Sequence, residues 1–286
     1  MKLRCVTPRL ITALLLAFAP RPVLAAGVAD APIDEHDRAA VSLAFTGTTA
    51  PPNTAALIPT VAAALRTGPL LLTLDAATSL TSYRFPQQER GSVQRFANPV
   101  LGAQLSLFNR PELVLRTGLI AGAPLLTVPG GITNNVAAEH ADRVAAAATG
   151  QRSYWMWARN AVPLAALVRA TARFVDPLEF RVDAEPGVLL SVNRNPSYLA
   201  LIVSAHVALR FEPVSAGVRW TTLVTSRPLD MHDFAQNTLA AFGQYDHGRF
   251  FGWADVVVGI DGPEGLAAES APTWGATLGG GIRFED

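Results

Sequence analysis

Leu178-Glu179-Phe180-Arg181-Val182-Asp183-Ala184-Glu185-Pro186-Gly187-Val188-Leu189-Leu190-Ser191-Val192-Asn193 carries an apolar residue at every even position, and its odd positions open with Glu179, Arg181, Asp183 and Glu185. Such alternation has the period of a β-strand, whose side chains point to opposite faces in turn; an amphipathic helix would mix the two sets. The next segment repeats it. Leu199, Leu201, Val203, Ala205, Val207, Leu209 and Phe211 fall on one face, and Ser204, His206, Arg210 and Glu212 on the other.

Composition names the solvent of the apolar face. Half of the residues are apolar and 16% are charged, against roughly 25% charged in a soluble domain. A membrane accounts for that shortage of water-facing side chains. Past the N-terminus no stretch is long and apolar enough for a helical span, so the crossing elements are strands. Strands in lipid must close into a barrel, because an open edge leaves N–H and C=O groups without partners.

Read this way, the chain divides into strands at 41–47, 56–66, 69–81, 99–108, 112–122, 162–174, 178–193, 198–212, 214–225, 235–246, 249–260 and 273–284. The expected fold is all-β, a transmembrane antiparallel up-and-down barrel of about 12 strands, with 10 as the alternative. Its connections alternate short and long. Tight turns fall at Thr67-Gly68, Asn109 to Pro111, Val175 to Pro177, Pro213 and His247-Gly248; the longest connection is 123–161. Short periplasmic turns and long outer loops are the pattern of bacterial outer-membrane barrels. Aromatic rings add to it: Phe174, Phe211, Tyr245, Phe250 and Phe284 lie near the short-turn ends with outward parity, and Trp274 near the other end, as membrane-interface girdles require.

The first residues fit export. Lys2, Arg4 and Arg9 border an apolar run, Leu10 to Ala19, followed by Val23-Leu24-Ala25, the plan of a cleaved secretory signal over 1–25. A periplasmic tail, 26–40, and the barrel, 41–286, would follow. The only cysteine, Cys5, precedes the apolar run, so the mature chain has no thiol for disulfides, nucleophilic catalysis or metal ligation.

Inward parity gathers Asp75, Glu112, Glu179, Asp183, Glu185, Glu212 and Asp255 with Arg66, Arg116, Arg169, Arg173, Arg181, Arg210, Arg219, Arg283 and His206. This predicts a charged, nearly neutral lumen with Arg173 facing Glu179 and Arg169 facing Asp183 across a hairpin. Such a lining either braces the barrel or selects what passes through it. Within 123–161, Val136 to Ala148 reads as a short helix capped by Asn134 or Asn135 and stopped by Gly150. Resting over the barrel mouth is its simpler placement; folded inward, it would constrict a pore.

Catalytic sets are scarce. Asp230-Met231-His232-Asp233 resembles part of the site of omptin-type outer-membrane proteases, but the second acidic pair of that site has no match. The histidines show no metal-ligand spacing, and Gly279-Gly280-Gly281 lies in strand alternation, where glycines ease curvature, rather than before a helix as a phosphate loop would. Neither an enzyme nor a cofactor is expected.

The whole pattern resembles Gram-negative outer-membrane barrel proteins, in which a terminal aromatic is read by the barrel-assembly machinery; here Phe284 is followed by Glu285 and Asp286. Asn98-Pro99-Val100-Leu101-Gly102-Ala103-Gln104-Leu105, with Leu113 to Pro124, is similar to small barrels of a phenol-degradation meta-pathway family, which implies uptake of small compounds. The expected partners are outer-membrane lipid, small solutes and the assembly machinery, with no nucleic acid. A narrow channel is the leading expectation; the alternatives are a non-conducting barrel acting through its outer loops and an outer-membrane hydrolase.

Overall fold

The computed structural model describes residues 37–50, 53–84, 91–110, 112–126, 132–193, 196–227, 234–261 and 272–285. The segments 1–36 and 228–233, which hold the expected signal and the Asp230 to Asp233 motif, lie outside them. Strands run β1 (Asp37–Ala50), β2 (Thr54–Thr67), β3 (Leu70–Tyr83), β4 (Gly91–Phe96), β5 (Val100–Arg110), β6 (Leu113–Gly122), β7 (Ala161–Val175), β8 (Leu178–Ser191), β9 (Tyr198–Phe211), β10 (Val214–Thr225), β11 (Ala235–His247), β12 (Phe250–Gly259) and β13 (Trp274–Glu285). Among the described residues, two helices, α1 (Ile132–Ala148) and α2 (Tyr154–Trp157), interrupt the series between β6 and β7.

Neighbouring strands pair antiparallel, and β1 pairs with both β2 and β13, so the sheet closes on itself. Thirteen segments make twelve wall strands, because β4 and β5 both pair with β3, one above the other. The expected up-and-down barrel is therefore what the chain forms. Gly91–Phe96, read from sequence as loop, extends the fourth wall strand beyond a break at Ala97-Asn98-Pro99. Strand β1 begins at Asp37 and so takes in the end of the expected tail.

Parity in β8 and β9 is as the sequence implies. Phe180, Val182, Leu199, Leu201, Val207 and Leu209 are exposed, while Glu179, Arg181, Asp183, Ser204 and His206 are buried. The exposed row continues through Val41, Leu43 and Phe45 on β1 and Leu278 and Ile282 on β13, giving the apolar outward face that transmembrane barrels present. Among the described residues no helix is long and apolar enough to cross a membrane.

Prolines occupy wall strands only where a ladder is interrupted. Pairing of β2 with β3 skips Ile58 and Pro59, pairing of β6 with β7 stops at Leu164 just short of Pro163, and pairing of β7 with β8 skips Glu185 and Pro186. A residue without an N–H is tolerated where no ladder bond is asked of it. On β13, a Cβ at Gly279 would lie 2.3 Å from the Trp253 ring, and one at Gly281 would lie 2.4 Å from the Phe251 ring. These glycines thus seat the stacked Phe251 and Trp253 rings of β12, a more specific role than easing curvature.

Candidate functional site in the barrel interior

The interior has two zones. Toward the long-loop end, Ile58, Val100, Ile120, Leu167, Leu189, Ile202 and Leu223 of the wall form one apolar cluster with Ala145, Ala146, Ala148, Trp155, Met156 and Trp157. The segment holding α1 and α2 therefore folds into the barrel. Placement over the mouth is overturned: Ala138, Ala141, Val144, Ala145 and Ala148 are all fully buried, and alanine supplies the small girth a helix needs inside a wall of this size.

Several polar contacts fix it there. Arg95 of β4 donates through Nε and Nη2 to the two carboxylate oxygens of Asp142, at 2.9 and 3.0 Å, and the Thr54 hydroxyl lies 2.8 Å from His140 Nε2. The Trp155 indole N–H donates to Glu185 at 2.7 Å, and Arg152 to Asp255 at 3.0 Å. Asn98, fully buried at the wall break, ties entry to exit: its Oδ1 accepts from the Leu126 N–H at 2.8 Å, its Nδ2 donates to the Ala158 carbonyl at 2.6 Å, and its own N–H donates to the Met156 carbonyl at 2.8 Å.

Helix α1 ends as the sequence implies and begins earlier. Gly150 adopts φ +68 and donates to the Ala147 carbonyl, and Gln151 donates to the Ala146 carbonyl, the two bonds of a Schellman stop. Its first residue is Ile132, so Asn134 and Asn135 lie within the helix rather than at its N-terminus. Burial, with Arg143 alongside, lowers the His140 pKa from 6.5 to about 4. For Asp142, burial outweighs the Arg95 guanidinium and raises the carboxyl from 3.8 to about 6.

Toward the short turns the interior is mainly charged, beside a small apolar cluster of Ala40, Ala64, Leu71 and Phe251. Arg169 Nε donates to Asp183 at 2.8 Å, Arg181 donates to both oxygens of Asp183, at 3.0 and 2.6 Å, and His206 Nε2 lies 3.5 Å from it. Arg173 donates to Glu179 at 2.6 Å, with Arg210 at 3.7 Å from the same carboxylate. Arg219 lies 3.6 Å from Asp255, and Arg283 grips Asp246 with two N–H groups. Asp75, Glu185 and Gln104 meet Arg152 and Trp155 around a cavity of about 30 Å3 between the zones, room for about one water.

Of the residues expected inside, Asp75, Arg116, Arg169, Glu179, Arg181, Asp183, His206, Arg219, Asp255 and Arg283 are buried, and Arg66, Arg173, Glu185 and Arg210 are half-buried. Glu112 and Glu212 are exposed, because each lies one residue outside its strand, before Leu113 and after Phe211, where strand parity no longer holds. Among the described residues, Arg95, Asp142 as its partner, Arg152 and Asp246 form interior ion pairs that escaped the sequence reading. Asp246 shares the parity of buried Gln244 and was open to the alternation argument; the others sit outside any alternating run.

Phe174, Phe211, Tyr245, Phe250, Trp274 and Phe284 are all exposed on the outer surface. Trp155 and Trp157 are not among them; both are buried in the inward segment. Among the described residues no three His, Cys, Asp or Glu side chains are grouped to hold a metal ion.

No protein-family model and no curated protein matches the chain, so the similarity of 98–105 to the phenol-degradation family has no support there. Solved structures do match. The NanC porin superposes at TM-score 0.53 with 6% identity over 85% of this chain and all of its own. An outer-membrane channel from Pseudomonas putida F1 superposes at TM-score 0.57 with 8% identity over 87% of this chain and 96% of its own. At such identity the likeness is one of fold, and the fold, with its apolar exterior, is that of outer-membrane β-barrel proteins.

Proposed function

We propose that this barrel lies in the outer membrane of a Gram-negative bacterium as a narrow channel for small solutes, with the inward segment 132–158 as its constriction. The observation that carries the reading is the charged interior of the short-turn half. An apolar filling of the same volume would brace a barrel as well, since buried ion pairs seldom add net stability over well-packed hydrophobic residues, whereas a water-filled path requires polar walls. Twelve strands enclose a lumen between the packed interior of eight and the open channel of 16 to 18, so one helix suffices to restrict it. The porin and channel folds that superpose on the chain support the same reading. The exposed apolar rows would contact lipid, and the aromatic Phe284 would serve recognition by the barrel-assembly machinery.

Purified protein in a planar bilayer should give discrete current steps that change in size with Arg169→Gln. A heat-modifiable, correctly folded barrel that stays silent contradicts the channel. That outcome would favour the second reading, a non-conducting barrel acting through its outer loops, for which the apolar packing of 132–158 against the wall is the supporting observation.

A further inference from the structure

The outer surface carries a groove near the long-loop ends of β6 to β10. Cross-strand pairing sets Leu119 of β6 beside Ala166 of β7, and Pro186 of β8 beside Leu201 of β9. Ala166 and Pro186 fall where the β7–β8 ladder is interrupted. Along this outward row, exposed Leu119 and Leu201 stand as ridges on either side of a methyl group and a flat ring. The ridges are three strand spacings apart, roughly 14 Å. They border an apolar cavity of about 850 Å3, open to the exterior and of the size of a ligand site. Its floor is backed from inside: a Cβ at Gly187 would lie 2.7 Å from the Trp155 ring, which Glu185 holds in place. Polarity changes at the outer end, where Thr225 and Ser226 close the groove. The Ser226 hydroxyl accepts from the Leu199 N–H at 2.8 Å. The next residue, Arg227, is exposed and in no ion pair among the described residues, whereas Arg159 of the same rim is paired with Glu139 at 3.0 Å.

We propose that this groove holds the acyl chains of an outer-leaflet lipid whose phosphorylated headgroup is bound by Arg227. Long loops of such barrels face the cell exterior, so the groove lies at the depth of outer-leaflet chains and Arg227 at the level of their headgroups. Apolar floor, hydroxyl rim and guanidinium follow one another in the order in which such a lipid runs from tail to head. A guanidinium fork matches phosphate oxygens in a bidentate manner, and a small, low floor lets chains lie against the wall where a row of leucines would hold them off. The inference rests on the outer-membrane placement of the barrel and is independent of whether the barrel conducts.

Lipid A, its dephosphorylated form and phosphatidylethanolamine, each titrated into the detergent-solubilised barrel and followed by native mass spectrometry, test this. Lipid A should bind about tenfold more tightly than either of the others. Ala166→Phe fills the floor with an apolar ring and should weaken lipid A binding about tenfold, whereas Ala241→Phe, the same change on the outward face of β11, should leave it unaltered. Arg227→Gln should bring lipid A to the level of its dephosphorylated form. If Ala166→Phe gives no heat-modifiable barrel, Ala121→Phe makes the same test from the β6 side of the groove. Equal binding of lipid A to wild type and the groove-filling variant overturns the groove, and a preference for the phosphorylated form that survives Arg227→Gln overturns the headgroup site. A barrel silent in planar bilayers removes the channel reading and leaves both of these outcomes to be read as stated.

Discussion

Asn98 sits where the fourth wall strand breaks, and its three hydrogen bonds reach both ends of the segment that enters the barrel. Removing its amide leaves the Leu126 N–H and the Ala158 carbonyl buried without that partner, at about 1–3 kcal/mol for each group. Asn98→Ala should therefore speed hydrogen exchange across 132–158 by at least tenfold while the wall strands stay protected; unchanged exchange would show that the tie is dispensable. His140 and Asp142 make a second test at this scale, in which the signs oppose. Released into water, His140 gains its proton near pH 6.5, but inside only near 4, so acidification through that window weakens the packed state. Asp142 is protonated inside near pH 6 and in water near 3.8, so the same acidification strengthens it. The two nearly cancel in the native chain. Hydrogen exchange of α1, corrected for intrinsic rate, should thus be nearly flat from pH 6 to 4. It should become more protected on acidification in His140→Gln and less protected in Asp142→Asn; matching slopes in the two variants would refute the assignment.

Helix α1 depends on a wall that makes room for it. A Cβ at Gly275 of β13 would lie 2.1 Å from the Ala148 carbonyl oxygen, and backbone cannot yield as a flexible side chain can. Gly275→Val should expel the C-terminal turn of α1 and expose 132–158 to added protease, with the barrel still heat-modifiable on gels. Resistance equal to wild type would mean that the helix is seated otherwise. Strands β8 and β9 were legible because each contrasts a lipid face with a charged face at period two, and the tight turns followed from their Gly and Pro residues. The helix itself was legible from its alanine run and Gly150. Its destination was not, because alanine is compatible with both a loop surface and a packed interior, and the deciding contacts, Arg95 to Asp142 and Asn98 to Ala158, join residues 47 and 60 apart in sequence. The small strand β4 escaped because Gly91 to Phe96 is too short to show a period.

At the scale of the whole barrel, the exterior and the interior obey different solvents, and the interior divides again into an apolar zone closed by 132–158 and an arginine-rich zone below it. Parity alone predicted a nearly neutral lumen. Its acids included Glu112 and Glu212, which lie exposed beyond the strand ends, while Asp142 and Arg152 both enter the interior from the segment that sequence placed at the mouth. In the proposed channel, 132–158 is the constriction and the wall stands without it. Replacing residues 127–159 by a short glycine-serine linker and recording single barrels in a planar bilayer separates wall from constriction. Heat-modifiable folded barrels with a several-fold larger conductance than wild type are expected; a folded deletion variant whose current is equal to that of wild type, or absent, would refute the constriction.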